Sequence, residues 1–98
     1  MDKADGNQAE IIRALKAVGC TVTWIRGVHS PGAPDLLVGH AGRTYLMEVK
    51  AKKGRRLPSQ KHWWSNWRGG PLFEVRTIEE ALAAVGLTVL SAKENAHP

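Results

Sequence analysis

A chain of 98 residues is the size of one ordinary domain, which excludes a multi-domain machine. Hydrophobic residues make up 43% and charged residues 23%, the balance of a chain that folds, not of a disordered chain or a coiled coil. Fourteen Lys and Arg against nine Asp and Glu leave a net charge of +5, which favours a polyanionic partner such as nucleic acid. The apolar runs fall far short of the ~20 residues that cross a bilayer, so no membrane partner is expected. A single cysteine, Cys20, excludes an intramolecular disulfide or a cysteine-built zinc site within one chain, and a cytoplasmic location is the expectation.

In chain order, Ile11, Ile12, Leu15 and Val18 recur at helical spacing, with Asn7 and Glu10 forming a capping-box pattern at the start and Gly19 a stop. Thr21 to Ile25 is β-branched and alternating, which predicts a strand, and the turn residues from Gly27 to Pro34 break it. Asp35 to Val38 and Thr44 to Lys50 flank five residues with two glycines, Gly39 to Arg43, and read as a hairpin. A basic loop from Ala51 to Leu57 follows, and Pro58 opens a helix running to Trp67, stopped by Gly69 and Gly70. Leu72 to Arg76 predicts another strand, and Thr77 with Glu80 caps a last helix ending at Val85 and Gly86. The whole of residues 1–98 is expected to form one domain with a frayed tail over 91–98. The order α, β, β, β, α, β, α predicts a small mixed sheet with helices packed on it.

Glu48 is the only acidic residue between Asp35 and Glu74, in a stretch rich in Lys and Arg. Alternation along a strand puts Glu48 and Lys50 on one face, and the hairpin brings Asp35 beside Glu48. Two convergent carboxylates, with waters and a substrate phosphate, are the usual means of holding Mg²⁺. Such an ion polarises a phosphodiester and activates a water. Lys50 adds a positive charge that can orient that water or stabilise the charge on phosphorus.

The run Gly32-Ala33-Pro34-Asp35-Leu36, with twelve residues between Asp35 and Glu48-Val49-Lys50, resembles the P-D…(D/E)-x-K nuclease pattern. Gly54-Arg55-Arg56-Leu57-Pro58-Ser59-Gln60, with Trp63, Trp64 and the Gly69-Gly70 stop, is similar to the VRR-NUC family in particular. This resemblance spans roughly Asn7 to Val85. It implies a restriction-endonuclease-like αβββαβ core with one or two Mg²⁺ or Mn²⁺ ions and no small-molecule cofactor. Asp35 and Glu48 would be ligands, the Val49 carbonyl a third, and Glu10 would complete the shell. Lys50 and Gln60 match the family's motif lysine and helix glutamine, and products would carry 5′-phosphate and 3′-hydroxyl ends. For Glu10, a capping role with Asn7 stands as the alternative. One departure is Leu57, where relatives often place Ser or Thr at the helix cap.

Seven of the fourteen basic residues, Lys50, Lys52, Lys53, Arg55, Arg56, Lys61 and Arg68, fall within residues 50–68 without an acidic interruption. All but Lys50 are expected to track the DNA backbone. Trp63, Trp64 and Trp67 share a helix with Gln60 and are expected to serve core, interface or base stacking. His29, near the Pro-Asp turn, reads as a loop residue. These features together predict a metal-dependent, structure-selective DNA endonuclease. The alternatives are a homodimeric four-way junction resolvase, or a non-catalytic DNA-binding module. A homodimer is expected because a small core and a tryptophan-rich helix leave an apolar surface that a second copy would cover.

Overall fold

A computed structural model describes residues 3–25, 30–51 and 53–87. His29, Lys52 and the tail over 91–98 lie outside the described residues. The elements are α1 (Lys3–Ala17), β1 (Thr21–Trp24), β2 (Leu36–His40), β3 (Arg43–Val49), α2 (Pro58–Asn66), β4 (Leu72–Val75) and α3 (Ile78–Ala84), matching the predicted order. They build a four-stranded sheet in the order β1-β2-β3-β4. The first three strands are antiparallel neighbours, and β4 runs parallel to β3. A parallel neighbour cannot be reached by a hairpin, so the chain crosses over through α2.

The core lies between this sheet and the two helices α1 and α3. Ile11 and Leu15 of α1 are fully buried, against Leu36, Val38, Met47, Val49 and Val75 of the sheet and Ala81 and Val85 at α3. On β3 the core-facing residues are Tyr45, Met47 and Val49, so alternation turns Leu46, Glu48 and the following Lys50 to the other side. Cys20 is part of the core, and burial pushes its thiol pKa up. Among the described residues, no helix is long and apolar enough to cross a membrane.

Three local features differ from the sequence reading. α1 begins ahead of Asn7, so Asn7 is not a cap; its Nδ2 donates to the Lys50 carbonyl at 2.9 Å and ties α1 to the end of β3. The hairpin connection is not five residues but a two-residue turn. Ala41 and Gly42 both take positive φ, 51° and 80°, as in the turns whose twist matches paired strands, and Gly39, His40 and Arg43 join the ladder. α2 starts without a polar cap side chain at Leu57, and instead the Leu57 N–H donates to Gln60 Oε1 at 2.8 Å. At α3 the expected cap forms, with Thr77 accepting from the Glu80 N–H at 3.0 Å.

Candidate active site

The loop before β2 sets the first carboxylate. Gly32 has φ +90°, and a Cβ there would stand 2.1 Å from the Ser59 carbonyl oxygen, so only glycine lets this loop lie against the first turn of α2. Pro34 and Asp35 follow, both buried. Asp35 Oδ2 accepts from the Val49 N–H at 2.9 Å and from Gln8 Nε2 at 3.3 Å, while its carbonyl accepts from the Ile25 N–H at 2.8 Å. The ladder pairs Leu36 with Met47, so the next step of the same register sets Asp35 opposite Glu48.

Glu48 is 4% exposed and Asp35 3%, so both carboxylates are sheltered from water. Glu48 Oε2 accepts from Gln60 Nε2 at 2.8 Å and lies 3.9 Å from Lys50 Nζ. Lys50 Nζ in turn donates to Gln60 Oε1 at 2.6 Å. One amide therefore joins the two residues of the E-x-K step, its N–H toward the acid and its carbonyl toward the ammonium. Ionised carboxylates are rarely buried side by side unless a cation shares them. The donors here are hard oxygens, the chemistry that suits Mg²⁺ or Mn²⁺ and not softer metals.

The structure thus brings together Asp35, Glu48, Val49, Lys50 and Gln60. It does not bring Glu10. Glu10 is exposed, and the α1 side chain at Asp35 is Gln8, two residues earlier and about 200° away around the helix. Among the described residues no group of three His, Cys, Asp or Glu gathers to hold a metal. Gln8 was not anticipated. Its signal is that it heads the stripe Gln8, Ile11, Leu15, a polar residue in line with an apolar seam, and it is 3% exposed.

No family model matches the chain, and no curated protein sequence does. A solved structure described as a VRR_NUC domain superposes on it with a TM-score of 0.70 and 26% identity, covering 83% of this chain and 91% of that one. The chain has the VRR-NUC fold.

Around this VRR-NUC core the basic residues divide into two sets. Lys53, Arg55, Lys61 and Arg68 are exposed and available to a polyanion. Arg56, expected among them, is held elsewhere: its Nε donates to Glu74 Oε1 at 2.8 Å and its guanidinium lies 3.9 Å over the Trp64 ring. Arg76 completes the clamp, 2.5 Å from Glu74 Oε2 and donating to the Ala51 carbonyl at 2.6 Å. Burial raises the Glu74 carboxyl, but the hydrogen bonds and charges of Arg56 and Arg76 outweigh it and hold the group below the usual carboxylate range. The loop after β3 is pinned to β4 by these groups.

Proposed function

We propose that this chain is a metal-dependent endonuclease that hydrolyses DNA phosphodiester bonds. The VRR_NUC neighbour supports the coarse class, a nuclease-type DNA-processing domain. The observation that carries the finer reading is the set made by Asp35, Glu48, Gln60 and Lys50: two buried carboxylates, one just ahead of β2 and one near the end of β3, with an ammonium held beside Glu48. The Asp35 and Glu48 carboxylates and the Val49 carbonyl would hold one or two Mg²⁺ or Mn²⁺ ions. When bound, such an ion supplies a Lewis acid for the phosphate and a water of lowered pKa. Lys50, fixed by Gln60, presents N–H donors toward a phosphate oxygen or the attacking water, and Gln8 and the Val49 N–H keep Asp35 turned into the site.

The proposal extends to structure-selective cutting of branched DNA and to a homodimer, because one site cuts one strand and a paired cut at a symmetric junction takes two. Linear, flapped and four-way substrates incubated with and without Mg²⁺ test it. Cleavage is expected only with the metal, and is abolished in Asp35→Ala and Glu48→Gln while DNA binding survives. Cleavage undiminished in excess chelator would overturn the assignment. Light scattering tests the dimer, with twice the chain mass expected.

A further inference from the structure

On α2, Trp63 and Trp67 stack with ring centroids 5.0 Å apart and planes 16° from parallel. Trp67 is fixed in place: its Nε1 donates to the Gly70 carbonyl at 2.7 Å, and a Cβ at Gly69 would stand 2.3 Å from the indole. It nevertheless remains 36% exposed. With His62 and Asn66 the two rings line an open cleft of about 390 Å³. Asn66 Nδ2 donates to the His62 carbonyl at 2.9 Å and sits 3.3 Å from His62 Nε2, which steadies the polar side of the cleft. A large aromatic surface held rigid at the protein boundary loses little freedom when a flat partner lands on it.

Charge selects the partner. Lys61 and Arg68 are exposed at either end of this stretch, and no acidic residue occurs between Val49 and Phe73. A second copy brought to this stretch would offer its cations no carboxylate from the equivalent stretch, whereas a polyanion meets them. A flat ring on a polyanionic chain meets both the indoles and the cations. Gln60, Trp63 and Trp67 follow one another at i, i+3 and i+7 along one stripe of α2. The backbone of Trp67 is therefore about 10 Å along the axis from that of Gln60, whose side chain holds Lys50. That is the rise of about three stacked nucleotides of one DNA strand.

We propose that the Trp63–Trp67 stack receives one unpaired nucleobase of the DNA, about three nucleotides from the bond positioned at Glu48 and Lys50. The proposal rests on the nuclease reading for its substrate and adds to it a preference for DNA with a locally unpaired strand. It is tested without divalent metal on flapped oligonucleotides that carry 2-aminopurine, or an abasic residue, at each flap position in turn. Wild-type protein is expected to quench 2-aminopurine at one position and to bind the base-bearing strand there about tenfold more tightly than the abasic one. Trp67→Ala should bind both equally, and Trp67→Tyr should restore the difference. If Trp67→Ala does not fold, the wild-type comparison and Trp67→Tyr still decide.

Equal affinities at every position in the wild type would overturn the proposal. So would a change of mass in Trp67→Ala by light scattering, or Trp67-dependent binding to anionic phospholipid vesicles, when either comes without base discrimination. The first would make the face an interface between copies and the second a lipid contact. A Mg²⁺ cleavage arm separates the two readings. Cleavage without base discrimination sinks the stacking site alone, and discrimination without any cleavage sinks the nuclease reading while leaving the base site.

Discussion

A single amide governs the geometry of the candidate site. Gln60 accepts from both Lys50 Nζ and the Leu57 N–H and donates to Glu48, so the start of α2 and the E-x-K residues are set by one side chain. Lys50→Ala should lower the single-turnover cleavage rate by about 10²–10⁴-fold, the range for a positioned proton-handling group, while leaving the salt dependence of DNA binding nearly unchanged. An unaltered rate would make Lys50 a surface charge only. The two α1 residues should also separate. Glu10→Ala, at an exposed position, should stay within about 0.5 kcal/mol of wild-type stability and cleave normally. Gln8→Ala removes a buried donor to Asp35 and should cost about 1–3 kcal/mol in urea unfolding. Loss of activity in Glu10→Ala alone would restore it as a ligand.

At the scale of elements, the Arg56–Glu74–Arg76 clamp gives the fold a dependence on pH. Glu74 has its carboxyl pKa depressed in the folded protein, so the clamp contributes stability above the unfolded carboxylate pKa and loses it as pH falls through the lower, folded value. Thermal melts should therefore show a larger acid-induced drop in Tm for the wild type than for Glu74→Gln. Equal drops would mean that the clamp carries no net stability. In the core, Leu15→Ala should cost about 2–5 kcal/mol, because a fully buried leucine leaves a cavity that the sheet cannot close.

The elements were legible because apolar spacing and glycine stops are local. Asp35, Glu48 and Lys50 were legible because a hairpin makes cross-strand neighbours predictable. What the chain order could not convey was rotation about a helix axis: Glu10 fitted a capping pattern with Asn7, yet tertiary contacts turned Asn7 and Gln8 inward and left Glu10 outside. Arg56 was misplaced for a similar reason, since its partner Glu74 is 18 residues away on another strand.

For the whole molecule, the separation of exposed from clamped cations predicts how DNA affinity responds to salt. Neutralising Lys53, Arg55, Lys61 and Arg68 should flatten the slope of log affinity against log salt by about 0.9 for each phosphate of duplex DNA that no longer meets a cation. Arg56→Gln should leave that slope nearly unchanged while lowering stability. The opposite pattern would place Arg56 on the backbone track and release the others.

The sheet joins two kinds of strand pairing with different folding consequences. β2 and β3 are closed by the Ala41–Gly42 turn, so their contacts are short in sequence, whereas β4 reaches β3 only after α2 has been laid down. Closing the longer segment costs more chain entropy, which favours the hairpin as the nucleus of the folding transition state. Asp35 and Glu48 would then be aligned before Gln60 arrives. In stopped-flow chevrons, Gly42→Ala should chiefly slow refolding, and Val75→Ala should chiefly speed unfolding. The reverse assignment would mean that the parallel pair forms first, and with it a different order in which the carboxylates, the amide and the ammonium come together.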